Sequence, residues 1–216
     1  MDLHATIRHV LLLTPPILLA VTAHEAAHAW TADRLGDPTP RRAGRLTLNP
    51  LRHLDPVGTL VFFLTRAIGW AKPVPVNPYH FRDPRRGMLW VSLAGPAANL
   101  ALAAAGAALL RGLAAGPSGV IHLPPGAAFL APLVAMLQVG ILVNIGLAVF
   151  NLLPVPPLDG SKVLEGLLPE GLAEPWRRFE RYGFVLILLL VFTGVTGRII
   201  VPLVFRIYGL FMGLQA

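Results

Sequence analysis

The sequence contains no cysteine. That excludes disulfides, a thiolate nucleophile and any metal site built on sulfur, so a metal here has to be held by His, Asp or Glu. Charge is scarce as well. Asp, Glu, Lys and Arg make up 13% of the 216 residues while 55% are hydrophobic, against about 25% charged in an average soluble domain. Mean hydropathy is +0.64. So little polar surface cannot cover a soluble globule, and so apolar a chain is not disordered. The solvent it suits is a bilayer, with length for four to six membrane passes and short loops. Acidic residues are the scarcer charge, 11 against 18 Lys and Arg. In an apolar chain that excess reports cytoplasmic loops facing anionic lipid, and no nucleic-acid partner is expected.

Apolar runs cover residues 9–32, 88–110 and 130–153, followed by 182–197 and 199–214. The last two are split at Gly197–Arg198 and read as two short helices or one bent hairpin. The first run resembles a signal peptide in position, but no convincing cleavage site ends it. Residues 57–71, with Arg66 inside, are too short for a full span and read as re-entrant, tilted or marginal. Pro- and Gly-rich connectors fill 36–56, 72–87, 112–128 and 154–181, and 116–126 reads as a loop. Segments 43–48 and 70–76 are β-prone, and proline confines them to an edge, where they could pair with an unwound peptide. The expected architecture is an all-α polytopic membrane protein of four to six membrane segments, with a re-entrant segment and room for a small membrane-associated β-hairpin or sheet. It reads as one membrane domain over 1–216, its core at 9–165 and its C-terminal helices at 180–214, with no soluble domain at either end.

Five arginines lie in 33–56, four basic residues in 72–87 and four in 154–181, while Arg8, Arg111 and Arg198 stand alone in the remaining connections. The positive-inside rule puts the three rich connectors in the cytoplasm. The assignment is self-consistent only if 57–71 does not cross, and it leaves the N-terminus outside.

Residues His24-Glu25-Ala26-Ala27-His28 form an H-E-x-x-H motif. On a helix, positions i and i+4 share a face, so both imidazoles reach one Zn²⁺ and the adjacent glutamate can take a proton from water. The bland alternative is two interfacial histidines and a glutamate at a helix end. Ionisable groups at a membrane helix end are costly, which favours function. Catalytic zinc wants a third protein ligand, here Asp, Glu or another His. Asp159, after the prolines that end the 130–153 run, leads that set as a partner to the motif. Taken alone it reads as a turn aspartate capping a helix.

The chain resembles the site-2 protease family of intramembrane zinc metalloproteases. The resemblance rests on HEAAH at 24–28 and NLLPVPPLDG at 151–160, with NPLRHLDP at 49–56, WAKPVPVNP at 70–78 and GPAANL at 95–100 in the family's order. It is to the compact bacterial branch, which lacks PDZ and CBS domains. It implies one Zn²⁺ per chain held by His24, His28 and Asp159, with Glu25 activating water and Asn151 holding substrate or its oxyanion. Asn99 matches a further family position, set against a helix-packing reading of Gly95, Ala97 and Ala98. His53 is either a substrate-side or near-metal histidine or a loop residue at the lipid interface. His80 is given no role, and His4, His9 and His122 read as interfacial. The implied function is hydrolysis of peptide bonds within or near the transmembrane helices of membrane protein substrates, in the cell (inner) membrane, with the active site towards the cytoplasm. The alternatives are a non-proteolytic zinc-binding membrane protein, such as a transporter, or an inactive homologue. Glu25 discriminates, because a transporter needs ligands but no general base. Substrate identity and oligomeric state are not legible.

Overall fold

Two stretches of this sequence use the same start signal. NPLRHLDP at 49–56 and NPYHFRDP at 77–84 share the pattern N-P-x-x-x-x-D-P. In the computed structural model both fold alike. The Asn49 and Asn77 carboxamides accept from the N–H two residues on, at 3.1 and 3.2 Å. A 3-10 turn follows at Pro50–Arg52 and Pro78–His80. Asp55 and Asp83 then cap the next helix: Asp55 Oδ1 accepts from Gly58 N at 2.8 Å, and Asp83 Oδ1 from Arg85 N and Arg86 N at 3.1 Å. Pro56 and Pro84 occupy the first helical position, where no N–H is needed. The helices so begun are α3 (Pro56–Thr65) and α4 (Pro84–Leu113).

The structure describes residues 3–65, 69–113 and 126–214. Arg66, His122 and all but the last residue of the 116–126 loop lie outside them. The other helices are α1 (Leu3–Arg34), α2 (Thr39–Arg42), α5 (Ala131–Asn151), α6 (Asp159–Leu167), α7 (Glu170–Phe179), α8 (Gly183–Phe192) and α9 (Val195–Met212). Among the described residues, four helical stretches are long and apolar enough to cross a membrane: Val10–Arg34 within α1, and all of α4, α5 and α9. The chain is an all-α polytopic membrane protein.

The described part of helix α3 is 10 residues, about 15 Å of rise and half a bilayer core. The chain beyond it returns to its own start. Leu54 and Ala71 form an antiparallel bridge, and Lys72 N donates to His53 O at 2.8 Å. A segment whose two ends are hydrogen-bonded together does not end on opposite sides of a membrane, so this is the re-entrant segment.

That single bridge is all the β-structure among the described residues, and the β-hairpin or sheet allowed by the sequence does not form. Two causes are visible. Pro73 and Pro75 have no N–H for a ladder. The buried Arg45 side chain, from the other β-prone segment, occupies the carbonyls of Arg52, Lys72 and Pro73. The C-terminal break also differs from expectation. It falls at Gly194, whose φ of 73° suits glycine, and Gly197–Arg198 lie inside α9.

The chain divides into two compact units. The first comprises residues 1–20, 99–150 and 189–216. Its core sets Ala103, Ala107 and Leu110 of α4 against Ile141, Ile145 and Val149 of α5, with Ile200, Val204 and Ile207 of α9 packed on them. Lipid tails are as apolar as leucine, so small residues and buried polar pairs hold membrane helices together. Alanines at i and i+4 supply the close approach. Asn99 supplies the polar link, donating to Ala20 O at 3.0 Å and to Asn144 Oδ1 at 2.8 Å. The second unit comprises residues 21–98 and 151–188 and carries the candidate site.

Candidate active site

His24 and His28 sit one turn apart on α1, both buried, with ring centroids 4.6 Å apart and planes at 84°. Two features of α4 make room for them. Gly95 faces the rings: a methyl group there would lie 2.6 Å from His24 Cε1 and closer still to His28 Nε2. One turn earlier, the Val91 carbonyl accepts a hydrogen bond from His28 Nδ1 at 2.7 Å. A carbonyl cannot donate, so Nδ1 carries the proton and Nε2 presents its lone pair. This is the arrangement that orients and tunes a metal-binding histidine.

Asp159 opens α6. The prolines of Leu152–Leu158 stop α5 at Asn151, and α6 then starts hard against that stop. A methyl on Gly160 would collide with the backbone of Leu152 and Leu153, so only glycine permits the turn. Helix α6 is tied down at both ends. The Arg85 guanidinium donates to Glu165 O at 2.9 and 3.1 Å, and Trp176 Nε1 to Ser161 O at 3.1 Å. Asp159 is not a cap: the N-cap is Leu158, with no side-chain hydrogen bond.

Its carboxylate instead points at the histidines. Asp159 Oδ2 lies 3.1 Å from His24 Nε2 and 3.4 Å from His28 Nε2. It is buried and makes no aligned hydrogen bond. A carboxylate oxygen facing two imidazole nitrogens in a buried site calls for a positive charge between them, a metal ion or a proton on a ring. The ligand atoms of all three residues fall within 4.8 Å of one another. Donors bound tetrahedrally to zinc at about 2.0–2.2 Å stand roughly 3.3–3.5 Å apart, and the two separations of 3.1 and 3.4 Å lie within about 0.2 Å of that range. The trio fits a zinc ion.

Glu25 is half-buried beside His24, and no hydrogen bond or ion pair engages its carboxylate among the described residues. Asn151 is the last residue of α5, in the same unit as the trio. Asn99 is fully buried in the other unit's polar link. His53 is fully buried too. Its Nε2 donates to Thr47 O at 2.9 Å and its carbonyl accepts from Lys72, so it organises the neck of the re-entrant loop. His80 contacts Asp37, a buried carboxylate that also receives Thr39 Oγ1 at 2.5 Å, Thr39 N at 3.0 Å and Asn77 N at 2.7 Å. Burial pushes the Asp37 carboxyl up, and these donors together hold it below the usual carboxylate range. Sequence reasoning missed the Val91 carbonyl and gave Gly95 only a packing role. A main-chain acceptor has no residue signature, but a glycine in an otherwise Ala- and Leu-rich helix was the available sign of close approach.

Buried imidazoles one turn apart, closed by a carboxylate, on a chain with helices of membrane-spanning length, are the arrangement of a membrane metalloprotease. Residues 13–193 match Peptidase family M50, and the chain belongs to that family. It is 41% identical over 187 residues to "Putative zinc metalloprotease YwhC" of Bacillus subtilis (strain 168), covering 87% of this chain and 83% of the relative. It is 34% identical over 194 residues to "Putative zinc metalloprotease Rip2" of Mycolicibacterium smegmatis (strain ATCC 700084 / mc(2)155), covering 87% of this chain and 69% of that protein. To the Rip2 protein of Mycobacterium tuberculosis (strain ATCC 25618 / H37Rv) it is 39% identical over 153 residues, 68% of this chain and 54% of the relative. No solved structure matches the chain.

Proposed function

We propose that this metalloprotease hydrolyses peptide bonds within or near transmembrane helices of membrane protein substrates, using one Zn²⁺ per chain held by His24, His28 and Asp159. The observation that carries the reading is the buried Asp159 Oδ2, facing two imidazole nitrogens at 3.1 and 3.4 Å without a hydrogen bond. The names of the relatives, which describe zinc metalloproteases, support the choice of metal.

Zinc bound there supplies Lewis acidity, drawing the pKa of water towards about 7 and polarising the scissile carbonyl. The chain's own residues do the rest. Glu25 accepts the proton of the attacking water and returns it to the leaving amine, a task that needs an uncommitted carboxylate. Asn151 is assigned to the developing oxyanion, because a neutral amide donor stabilises negative charge without competing for the metal. The Val91 carbonyl keeps His28 in the tautomer that leaves Nε2 free. A substrate helix hides its amides in its own hydrogen bonds, so it unwinds locally before cleavage.

The protein is assigned to the cell (inner) membrane with the site towards the cytoplasm. Support comes from charge: α1 leads from His28 into the basic 33–56 connector, and Asp159 lies in the basic 154–181 connector.

The deciding experiment pairs zinc analysis with cleavage of single-pass membrane helices. Glu25→Gln is expected to keep zinc at the wild-type ratio and to lose about 10²–10⁴-fold or more in rate. Asp159→Ala is expected to lose the zinc. Cleavage by metal-replete Glu25→Gln protein at the wild-type rate overturns the mechanism, and wild-type protein that binds no zinc overturns the assignment of ligands.

A further inference from the structure

A cavity of about 410 Å³ lies in the 41–52 connector, apart from the metal centre, lined by Arg41, Gly44, Leu46, Thr47, Asn49 and Arg52. Its walls contain no acidic side chain. What they offer is hydrogen-bond donors. The Thr47 hydroxyl oxygen already accepts from Asn49 N at 3.1 Å, and Asn49 Oδ1 from Leu51 N at 3.1 Å. The Thr47 O–H and the Asn49 Nδ2 amine therefore remain to donate. Arg41 spends Nε and Nη2 on Asp33, at 2.8 and 2.6 Å, which leaves Nη1. The Arg52 guanidinium has no hydrogen-bond or ion-pair partner among the described residues. Its backbone, by contrast, is fixed, with N donating to Asn49 O at 3.1 Å and its carbonyl held by Arg45. A concave wall of donors around one uncompensated guanidinium is complementary to a phosphate.

The rim says where that phosphate comes from. Leu48 and Leu51, which interleave with the lining residues, are 74% and 76% exposed. They are among the most exposed large hydrophobic side chains of the described residues, and they belong to the connector that leads from the membrane-spanning stretch of α1 to the re-entrant segment. Free phosphate would leave them in water. A phospholipid headgroup in the cavity would set them against its acyl chains.

We propose that this cavity binds the phosphate of an anionic phospholipid, with Arg52 as its charged contact and Leu48 and Leu51 in the acyl layer. The site uses none of the residues assigned to zinc or to proton transfer, so it stands or falls apart from the proteolytic reading.

The test uses the purified Glu25→Gln protein, which removes turnover from the readout. Lipid adducts are counted by native mass spectrometry as dioleoyl phosphatidylglycerol or dioleoyl phosphatidylcholine is added to detergent-solubilised protein. One tight phosphatidylglycerol site is expected, with a preference over phosphatidylcholine. Arg52→Gln should weaken it about fivefold, the usual effect of one basic residue facing anionic lipid, and Leu51→Ser should weaken it as well. Arg42→Gln, exposed and outside the lining, should leave it unchanged. Thermal unfolding without lipid should be the same for Arg52→Gln and its parent, because Arg52 has no internal partner to lose. Equal weakening by Arg42→Gln and Arg52→Gln overturns the proposal in favour of diffuse surface charge. Displacement of the lipid by millimolar inorganic phosphate, or indifference to Leu51→Ser, overturns the lipid as occupant.

Discussion

A methyl group at position 95 has nowhere to go, because both histidine rings already lie against the glycine. Gly95→Ala is therefore expected to shift the imidazoles rather than unfold the chain. Overpacking of this kind costs roughly 1–3 kcal/mol, and a disturbed support shell weakens metal binding by about 10–100-fold. Competition with a graded zinc chelator measures it. Asp37 is the other residue with a sharp expectation. Its carboxyl titrates below the usual range, so its charge stabilises the fold above the unfolded-state value of about 3.9. That contribution disappears as pH falls through the lower folded value. Asp37→Asn should cost about 1–3 kcal/mol at neutral pH, and the gap in melting temperature from wild type should begin to narrow once the pH falls below about 4.

At the scale of elements, the aspartate caps are the easiest parts to weigh. Asp83→Ala removes both bonds at the start of α4 and should cost about 1 kcal/mol, read by denaturant or thermal unfolding, without altering the zinc content. The long helices were legible because about 20 apolar residues have few alternatives to a span, and H-E-x-x-H was legible because its spacing is the helix period. The connectors were less so. Residues 154–181 read as Pro- and Gly-rich linkage, yet they hold α6 and α7, whose positions depend on Arg85, Trp176 and the glycine contact at 160 rather than on any local signal. The β-prone segments failed as strands because Arg45, distant in sequence from Lys72 and Pro73, takes the carbonyls a partner strand would need. The helix break moved to Gly194 because a left-handed residue ends a helix wherever it falls, whereas Gly197 is compatible with continuing one.

For the whole molecule, orientation is the open expectation with the simplest test, and the lack of cysteine makes the background clean. A single Tyr79→Cys, at a 90% exposed position in the 72–87 connector, should resist a membrane-impermeant maleimide in intact spheroplasts. Phe129→Cys, 75% exposed in the turn just before α5, should react. The reverse pattern would turn the assigned topology over. The bond that fixes His28 ends on a main-chain oxygen. Any side chain that preserves the helix and fits the small core around Val91 leaves that bond in place, so position 91 is free to drift among neighbours of similar size. Position 95, four residues on and in the same wall, has no such freedom. Random substitution at the two sites should therefore yield a tolerated set at 91 and glycine alone at 95, although neither residue offers the metal a side-chain donor.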